Sequence, residues 1–142
     1  MNLNADFVDK LRNSGLRPTK QRLKICEVLF NTEKTFHFTI NDLSKIISEK
    51  LSEKISLATV YNTVHTFKKK GYLKEISINS DKSYFDTNTS IHHHFYDEDA
   101  NELIDCNEND IDSINVKNNI TGKKINSVEV LIKVASDNQN QN

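Results

Sequence analysis

The chain has 142 residues, of which 36% are hydrophobic and 27% are charged, and its formal net charge is −1. This length suffices for one compact unit or two very small ones, and it excludes a barrel enzyme or a full dinucleotide-binding fold. No apolar run approaches the roughly 20 residues that span a bilayer, and the first residues lack a signal-peptide pattern, so we expect a cytoplasmic protein with no membrane partner.

Charges of opposite sign are concentrated in different halves of the sequence. Residues 1–83 contain 15 Lys and Arg against 9 Asp and Glu, whereas residues 84–142 contain 4 against 11. A basic half favours binding to DNA, and an acidic half with three adjacent histidines favours binding to metal cations. The alternative interpretation is that these charges are solvated surface groups that keep the protein in solution. Cys26 and Cys106 form no C-x-x-C pair, so neither a disulfide framework nor a thiolate zinc site is indicated.

The first half predicts four helices, each with a residue that favours a helix end. These residues are Gly15 after a helix over 5–14, Thr19 before the second helix, Thr39 and Asp42 at the third, and Ser56 and Gly71 at the fourth. Residues 72–78 then alternate like a strand, and Ser83–Asp86 can pair back on them. The sequence therefore predicts an α+β protein that begins with a winged helix-turn-helix DNA-binding domain over residues 1–84.

In such a domain, the helix that begins at Ser56 enters the major groove with its N-terminal residues. Asn62 can make a bidentate contact to adenine there, whereas Tyr61 suits either a DNA contact or a core position with a wet hydroxyl. Thr63, His65 and Thr66 also fall on the outward face. The candidate DNA contacts are Arg17, Thr19, Lys20, Arg22, Ser56, Thr59, Tyr61 and Asn62.

The second half contains a histidine run. A strand at this point would direct His92 and His94 to one face, where their imidazoles can chelate one ion; a surface tract that takes up metal adventitiously is the alternative. Asp86 and Asp105 end neighbouring apolar segments.

Beyond the run, a helix is predicted from Asn109 or Asp110 to about Ile120, then a strand over 127–134 and a disordered tail over 137–142. The predicted second domain, a small α/β unit over residues 85–136, buries itself poorly. We therefore expect two copies to pair as the symmetric homodimer that a palindromic, double-stranded DNA operator requires.

Three segments in this order resemble the ferric uptake regulator family, over about residues 15–134. They are residues 15–22, residues 57–64, and Ser83–Asp86 followed by the histidine run. The stretch from His92 to Asp105, with residues 62–65, looks most like the iron response regulator branch of alphaproteobacteria. The resemblance implies a transcription regulator that responds to iron or haem, and not an enzyme.

The resemblance also implies site residues. A hinge site for Fe, Mn or Zn would comprise His37, Asp86, His92, His94 and Asp105, and an ion held there would fix how the two domains are oriented. Haem would bind at His92, His93 or His94. Thr59 and Tyr61 would face bases, and Arg17 would lie at the minor groove.

Two metal sites of the family are incomplete in this sequence. The four-cysteine structural zinc site is absent, since Asp97, Ala100 and Val134 stand at its positions. A further site would use His93 and Asp112, but Asn126 stands where its remaining histidine would be, so we treat that site as degenerate.

Two alternatives to an iron or haem regulator stay open. A peroxide-sensing regulator of the same family would use a three-His, two-Asp hinge site at which Fe(II) promotes oxidation of a histidine. A metalloenzyme is less favoured, although His and carboxylate sites with open positions support oxygen or hydrolytic chemistry.

Overall fold

The computed structural model describes residues 3–52 and 54–137, so most of the predicted tail lies outside the described residues. The chain forms two compact units, one through Thr89 and one from Ser90. The predicted boundary after residue 84 falls inside a strand, and the division between the units lies after that strand instead. Among the described residues, no helix has the length and apolar character needed to cross a bilayer.

The first unit has the helix order and the terminal hairpin of a winged helix-turn-helix. Its elements are α1 (Leu3–Asn13), α2 (Lys20–Phe30), β1 (His37–Phe38), α3 (Ile40–Leu51), α4 (Leu57–Lys70), β2 (Lys74–Ser77) and β3 (Ser83–Asp86). The strands form one sheet in the order β1-β3-β2, with both pairings antiparallel. The helices and the hairpin confirm the predicted fold class, and β1 is an element that the sequence analysis did not predict.

Side-chain caps define the helix ends at the predicted positions. The Thr19 and Ser56 hydroxyls each accept a backbone N–H from the first turn of their helix, and Thr39 and Asp42 form a reciprocal capping box. Gly71 ends α4 with φ of 89°, a left-handed conformation that glycine adopts without strain. Each N-cap contributes about 1 kcal/mol, so these local signals fix where α2, α3 and α4 begin.

The core of the first unit joins the apolar faces of its helices to its sheet. Its largest fully buried apolar side chains are Leu11, Ile25, Leu29, Phe38, Leu43, Ile47, Val60, Val64, Phe67 and Phe85. Lys10 attaches α1 to this core, because its Nζ lies 4.0 Å from the ring centroid of Phe30 and 4.5 Å from that of Tyr72. Cys26 is buried in the core, and burial raises the pKa of its thiol to about 12.

The second unit is built on a three-stranded sheet in the order β5-β4-β6. Its strands are β4 (His94–Asp97), β5 (Glu102–Asp105) and β6 (Leu131–Val134). β4 is antiparallel to β5 and parallel to β6. Tyr96 and Leu103, opposite each other in the β4–β5 pairing, are both buried.

The predicted helix over residues 109–120 is wrong. All residues from 106 to 130 are described, and none of them lies in a helix or a strand. The segment is rich in Asn, Ile and Val, which are mediocre helix formers, and local propensity therefore contributes little to a helix. The strand predicted over 127–134 is also shorter than expected, since β6 begins only at Leu131.

An ion pair joins α4 to the hairpin of the first unit. Lys68 Nζ lies 2.9 Å from Glu75 Oε1, and the Glu75 side chain is 22% exposed. The hydrogen bond from Lys68 is the main reason why the pKa of the Glu75 carboxyl lies below its ordinary value, although burial opposes this effect. The pair therefore stabilises the fold only while Glu75 is ionised.

Replacing Glu75 with Gln is expected to lower the free energy of unfolding at pH 7 by about 0.5–1 kcal/mol. Because the pKa of Glu75 is depressed in the folded state, the native chain keeps this advantage above the ordinary glutamate pKa and loses it as pH falls through the folded value. Urea denaturation from pH 3 to pH 7 measures the difference, with Glu33→Gln, in an exposed loop, as the control. A difference that persists unchanged at pH 3 would contradict this assignment.

Candidate metal centre and nucleic-acid interface

The pairing of β1 with β3 brings together two metal-ligand side chains that are distant in the sequence. His37 lies opposite Asp86, and a ring nitrogen of His37 and a carboxylate oxygen of Asp86 are within 4.8 Å of each other. Asp86 is buried, and the His37 ring packs edge-on against Tyr84 with 5.8 Å between ring centroids. We call His37 and Asp86 the first ligand group.

The Asp86 carboxylate is held by residues on both sides of it. The Asn88 backbone N–H donates to Asp86 Oδ1 at 2.8 Å, an Asx turn that Asp-x-Asn could have signalled but that the sequence analysis missed. Lys74 lies opposite Asp86 on β2; burial lowers the pKa of Lys74, and the Asp86 charge opposes that shift. These contacts fix the carboxylate and partly balance its charge.

A second ligand group lies within the second unit and consists of His92, His94 and Asp105. His94 is opposite Asp105 in the β4–β5 pairing, and its Nε2 lies 3.1 Å from Asp105 Oδ1. His92 Nε2 lies 3.7 Å from the same oxygen, and the two imidazole centroids are 4.3 Å apart. His92 precedes β4 in a segment that is not part of a strand, and its Nδ1 is 2.8 Å from the Ser90 carbonyl oxygen.

His93 has different contacts from its two neighbours. Its Nδ1 accepts a hydrogen bond from the Val130 N–H at 2.9 Å, and its carbonyl oxygen accepts one from the Cys106 N–H at 3.0 Å. The structure therefore brings His92 and His94 together, whereas His93 is hydrogen-bonded to Val130, just before β6. The candidate haem residues do not form one group of imidazoles.

The donor chemistry of both groups fits a divalent ion of the first transition series. Imidazole nitrogen suits Zn, Fe and Mn, and carboxylate oxygen adds affinity for the harder Fe(II) and Mn(II). The second group offers its donors within 3.1–3.7 Å of one carboxylate oxygen, and such a spacing requires only small side-chain movements to hold an ion.

Hydrogen bonds connect the two chain segments at which the family's structural zinc would have its cysteines. The Asp99 carboxylate, in the β4–β5 turn, accepts hydrogen bonds from the backbone N–H and the hydroxyl of Ser136, just beyond β6. These bonds hold the pKa of Asp99 below its ordinary value. The Glu98 N–H also donates to the Val134 carbonyl oxygen at 2.8 Å. The turn is thus joined to the end of β6 by polar contacts of the chain itself.

The candidate DNA contacts fall at the starts of two helices of the first unit. On α4, Asn62 is exposed and Tyr61 is 54% exposed, whereas Thr59 is half-buried and its hydroxyl lies 2.8 Å from that of Ser56. Thr63 was expected to face outward, and this is wrong: it is buried, and its hydroxyl donates to the Thr59 carbonyl oxygen. The fully outward side chains near the start of α4 therefore include Tyr61 and Asn62.

At the start of α2, Arg17, Thr19 and Lys20 are exposed and Arg22 is half-buried. Arg22 Nη1 donates to the Arg17 carbonyl oxygen at 3.0 Å, so this guanidinium also braces the loop before α2. The Thr19 hydroxyl accepts the Arg22 N–H as the helix cap. The structure thus places two exposed cations, Arg17 and Lys20, around a capped helix start.

Known proteins match both the sequence and the fold. The sequence model of the ferric uptake regulator family matches residues 13–134. The peroxide operon regulator of Bacillus subtilis is 32% identical over 121 residues, which are 84% of this chain and 81% of that protein. The peroxide-responsive repressor PerR of Staphylococcus epidermidis is 32% identical over 109 residues, 77% of this chain and 71% of that protein.

Two solved structures share the fold. The Vibrio cholerae ferric uptake regulator gives a TM-score of 0.68 at 23% identity, covering 91% of this chain and 98% of that one. The Pseudomonas aeruginosa ferric uptake regulator with manganese gives 0.64 at 20% identity, covering 92% and 97%. With the family model matched over residues 13–134 and relatives above 30% identity, the chain belongs to the ferric uptake regulator family.

Proposed function

We propose that this protein is a sequence-specific, DNA-binding transcription regulator whose affinity for its operator depends on a bound divalent ion, Fe, Mn or Zn. The observation that carries the proposal is the first ligand group. His37 and Asp86 stand on the sheet of the winged-helix unit itself, so an ion bound there acts directly on the unit that contacts DNA. The role is regulation, not catalysis.

The ion would be shared by both ligand groups, His37 with Asp86 and His92 with His94 and Asp105. Each group alone offers two or three donors, whereas stable transition-metal sites in proteins have four or more ligands in total. Few residues separate Asp86 from His92 along the chain. A shared ion would fix the orientation of the winged-helix unit relative to the second unit.

Double-stranded DNA and a second copy of the chain would be the partners. The first unit, through Thr89, has 15 Lys and Arg against 10 Asp and Glu, which favours a polyanion. The second unit exposes several large apolar side chains, as expected of a chain that buries them against a copy: Ile104, Ile114, Val116, Ile120, Ile125 and Val134. Binding to the bacterial chromosome would place the protein in the cytoplasm.

Iron status is the signal that we propose for the site, and membership of the iron response regulator branch stays a prediction based on the sequence motifs. Haem sensing through His92, His93 or His94 also stays a prediction. The engagement of His93 by Val130 favours His92 and His94 over His93 as candidate haem ligands.

Peroxide sensing is the second candidate signal, and the relatives favour it. The Bacillus and Staphylococcus proteins that are 32% identical to this chain are named as peroxide regulators. Bound Fe(II) would supply the electron that cleaves peroxide. The oxidisable ligands of this chain would be His37 and His92.

Substitutions of residues that read bases should reduce sequence discrimination, whereas substitutions of residues that bind phosphates should lower affinity for all DNA. Tyr61→Phe and Asn62→Ala should reduce discrimination between operator and single-base variants, because a base-edge contact contributes about 1–3 kcal/mol of discrimination. Lys20→Ala and Arg22→Ala should weaken binding to all duplexes comparably and lower the salt slope by about 0.9 each. Fluorescence anisotropy on a duplex selected from random DNA measures both; unchanged relative affinities for Asn62→Ala would contradict its assigned role.

If both ligand groups share one ion, substitutions at residues that are distant in the sequence should lower the metal affinity to a similar extent. His37→Ala, His92→Ala and Asp105→Asn should each lower Mn(II) affinity at least about tenfold, since each removes one ligand. Glu102→Gln, an exposed carboxylate on the same strand as Asp105, is the control and should bind normally. Calorimetric titration of Mn(II) measures affinity and stoichiometry. Normal, one-to-one binding by His37→Ala would show that the two ligand groups do not share an ion.

Peroxide treatment of the Fe(II)-loaded protein separates the two signals. A peroxide regulator should gain 16 Da, one oxygen atom, on His37 or His92 and lose operator binding in parallel. The Mn(II)-loaded protein is the control, because Mn(II) does not support the same peroxide cleavage. Unmodified histidines and intact operator binding after treatment would exclude peroxide sensing and leave the metal-dependent regulator in place.

A further inference from the structure

Outside the two ligand groups, the rings of Tyr61, His65 and Phe85 contact one another in a row that leads from the surface of the first unit into its core. Tyr61 and His65 are one helical turn apart on α4, and their ring centroids lie 4.1 Å from each other with a 41° angle between the ring planes. Tyr61 is 54% exposed, whereas His65 is half-buried. His65 therefore lies between the outermost ring of α4 and the body of the unit.

His65 itself rests on the core. Its ring contacts Phe85 edge-on, with centroids 5.2 Å apart and an interplanar angle of 80°. Phe85 is buried in β3, the central strand of the sheet, and stacks against Phe38 at 6.2 Å. The half-buried ring thus has a rigid support beneath it and Tyr61 above it.

An exposed tyrosine on a helix surface normally samples several rotamers, and ordering it on binding opposes complex formation. Contact with a neighbouring ring restricts the sampled orientations before DNA arrives. An imidazole suits this place because one ring edge can stay hydrated while its face packs on another ring. The arrangement therefore prepares Tyr61 for contact with DNA without requiring His65 to touch DNA.

We infer that His65 is a positioning residue that orders the Tyr61 ring for base reading. The inference rests on the proposed function, in which Tyr61 faces a base edge. Its consequence is that sequence discrimination depends on a side chain that makes no base contact of its own. Packing between rings, and not hydrogen bonding by the imidazole, carries the effect.

The test compares operator and scrambled duplexes at fixed salt. His65→Ala should lower the operator-to-scrambled affinity ratio about three- to tenfold, the range expected for one aromatic pair, and should change affinity for the scrambled duplex less than twofold. His65→Phe keeps a ring without hydrogen-bonding groups and should restore most of the ratio. In a Tyr61→Ala background, His65→Ala should have no further effect.

Thr66→Ala is the matched control, because Thr66 is also half-buried on α4 and its hydroxyl donates only to the Asn62 carbonyl oxygen. It should leave the ratio unchanged. If His65→Phe fails to restore the ratio, or if the effects of His65→Ala and Tyr61→Ala add, the positioning role is wrong and a direct DNA contact by His65 replaces it.

A readout without DNA separates this inference from the proposed function. In the NMR spectrum of the DNA-free protein, His65→Ala should shift the Tyr61 ring protons, assigned by their loss in Tyr61→Phe, and Thr66→Ala should not. Unshifted Tyr61 signals would overturn the role of His65 alone. Selection that yields no preferred duplex for the native chain would overturn the proposed function, whatever the Tyr61 signals show.

Discussion

The pairing of a two-residue strand, β1, with β3 is the contact on which both candidate functional regions of the first unit depend. One register places His37 opposite Asp86 and, one position along, Phe38 opposite Phe85. The first pair would supply metal ligands in the proposed function, and the second pair forms the apolar support beneath His65 and Tyr61. The Phe36 N–H and carbonyl both bond to Thr87, which extends the same pairing at its end. A very short strand thus positions residues for two different proposed roles.

Local signals were sufficient to predict most of the first unit. Thr19 and Thr39 are helix caps in the structure as predicted, Ser56 caps α4 where that helix was predicted to begin, and Gly71 ends α4. Such signals act within a few residues, where the backbone has few alternatives. β1 could not be found in this way, because its pairing with β3 has no periodicity within two residues. From the residues alone, His37 was a lone histidine, and only the family resemblance linked it to Asp86.

Two predictions were wrong, the helix over 109–120 and the outward face of Thr63, because each was based on local residue types without knowledge of the packing around them. The helix over 109–120 was predicted from a possible cap at Asn109 or Asp110 and from Gly122 beyond its end, but the residue types between them do not favour a helix, and Ile114, Val116 and Ile120 are exposed. On α4, Thr63 has a polar side chain at an inward position, which is possible because its hydroxyl bonds to the backbone one turn earlier. Polarity alone therefore misassigned its face, whereas the neighbouring Asn62 is exposed as expected.

In the proposed function, β3 would connect metal binding with base recognition, because it carries residues that belong to both candidate regions. Successive side chains of a strand point to opposite sides, so Asp86 and Phe85 serve different surfaces although they share a peptide bond. Phe85 is packed against both His65 and Phe38, and a close-packed interior does not allow one of these rings to move alone. An ion held by His37 and Asp86 would therefore act on the same strand that carries Phe85, on which the His65 ring rests. Under the proposed function, occupancy of the first ligand group and the order of the Tyr61 ring would be linked through this one strand.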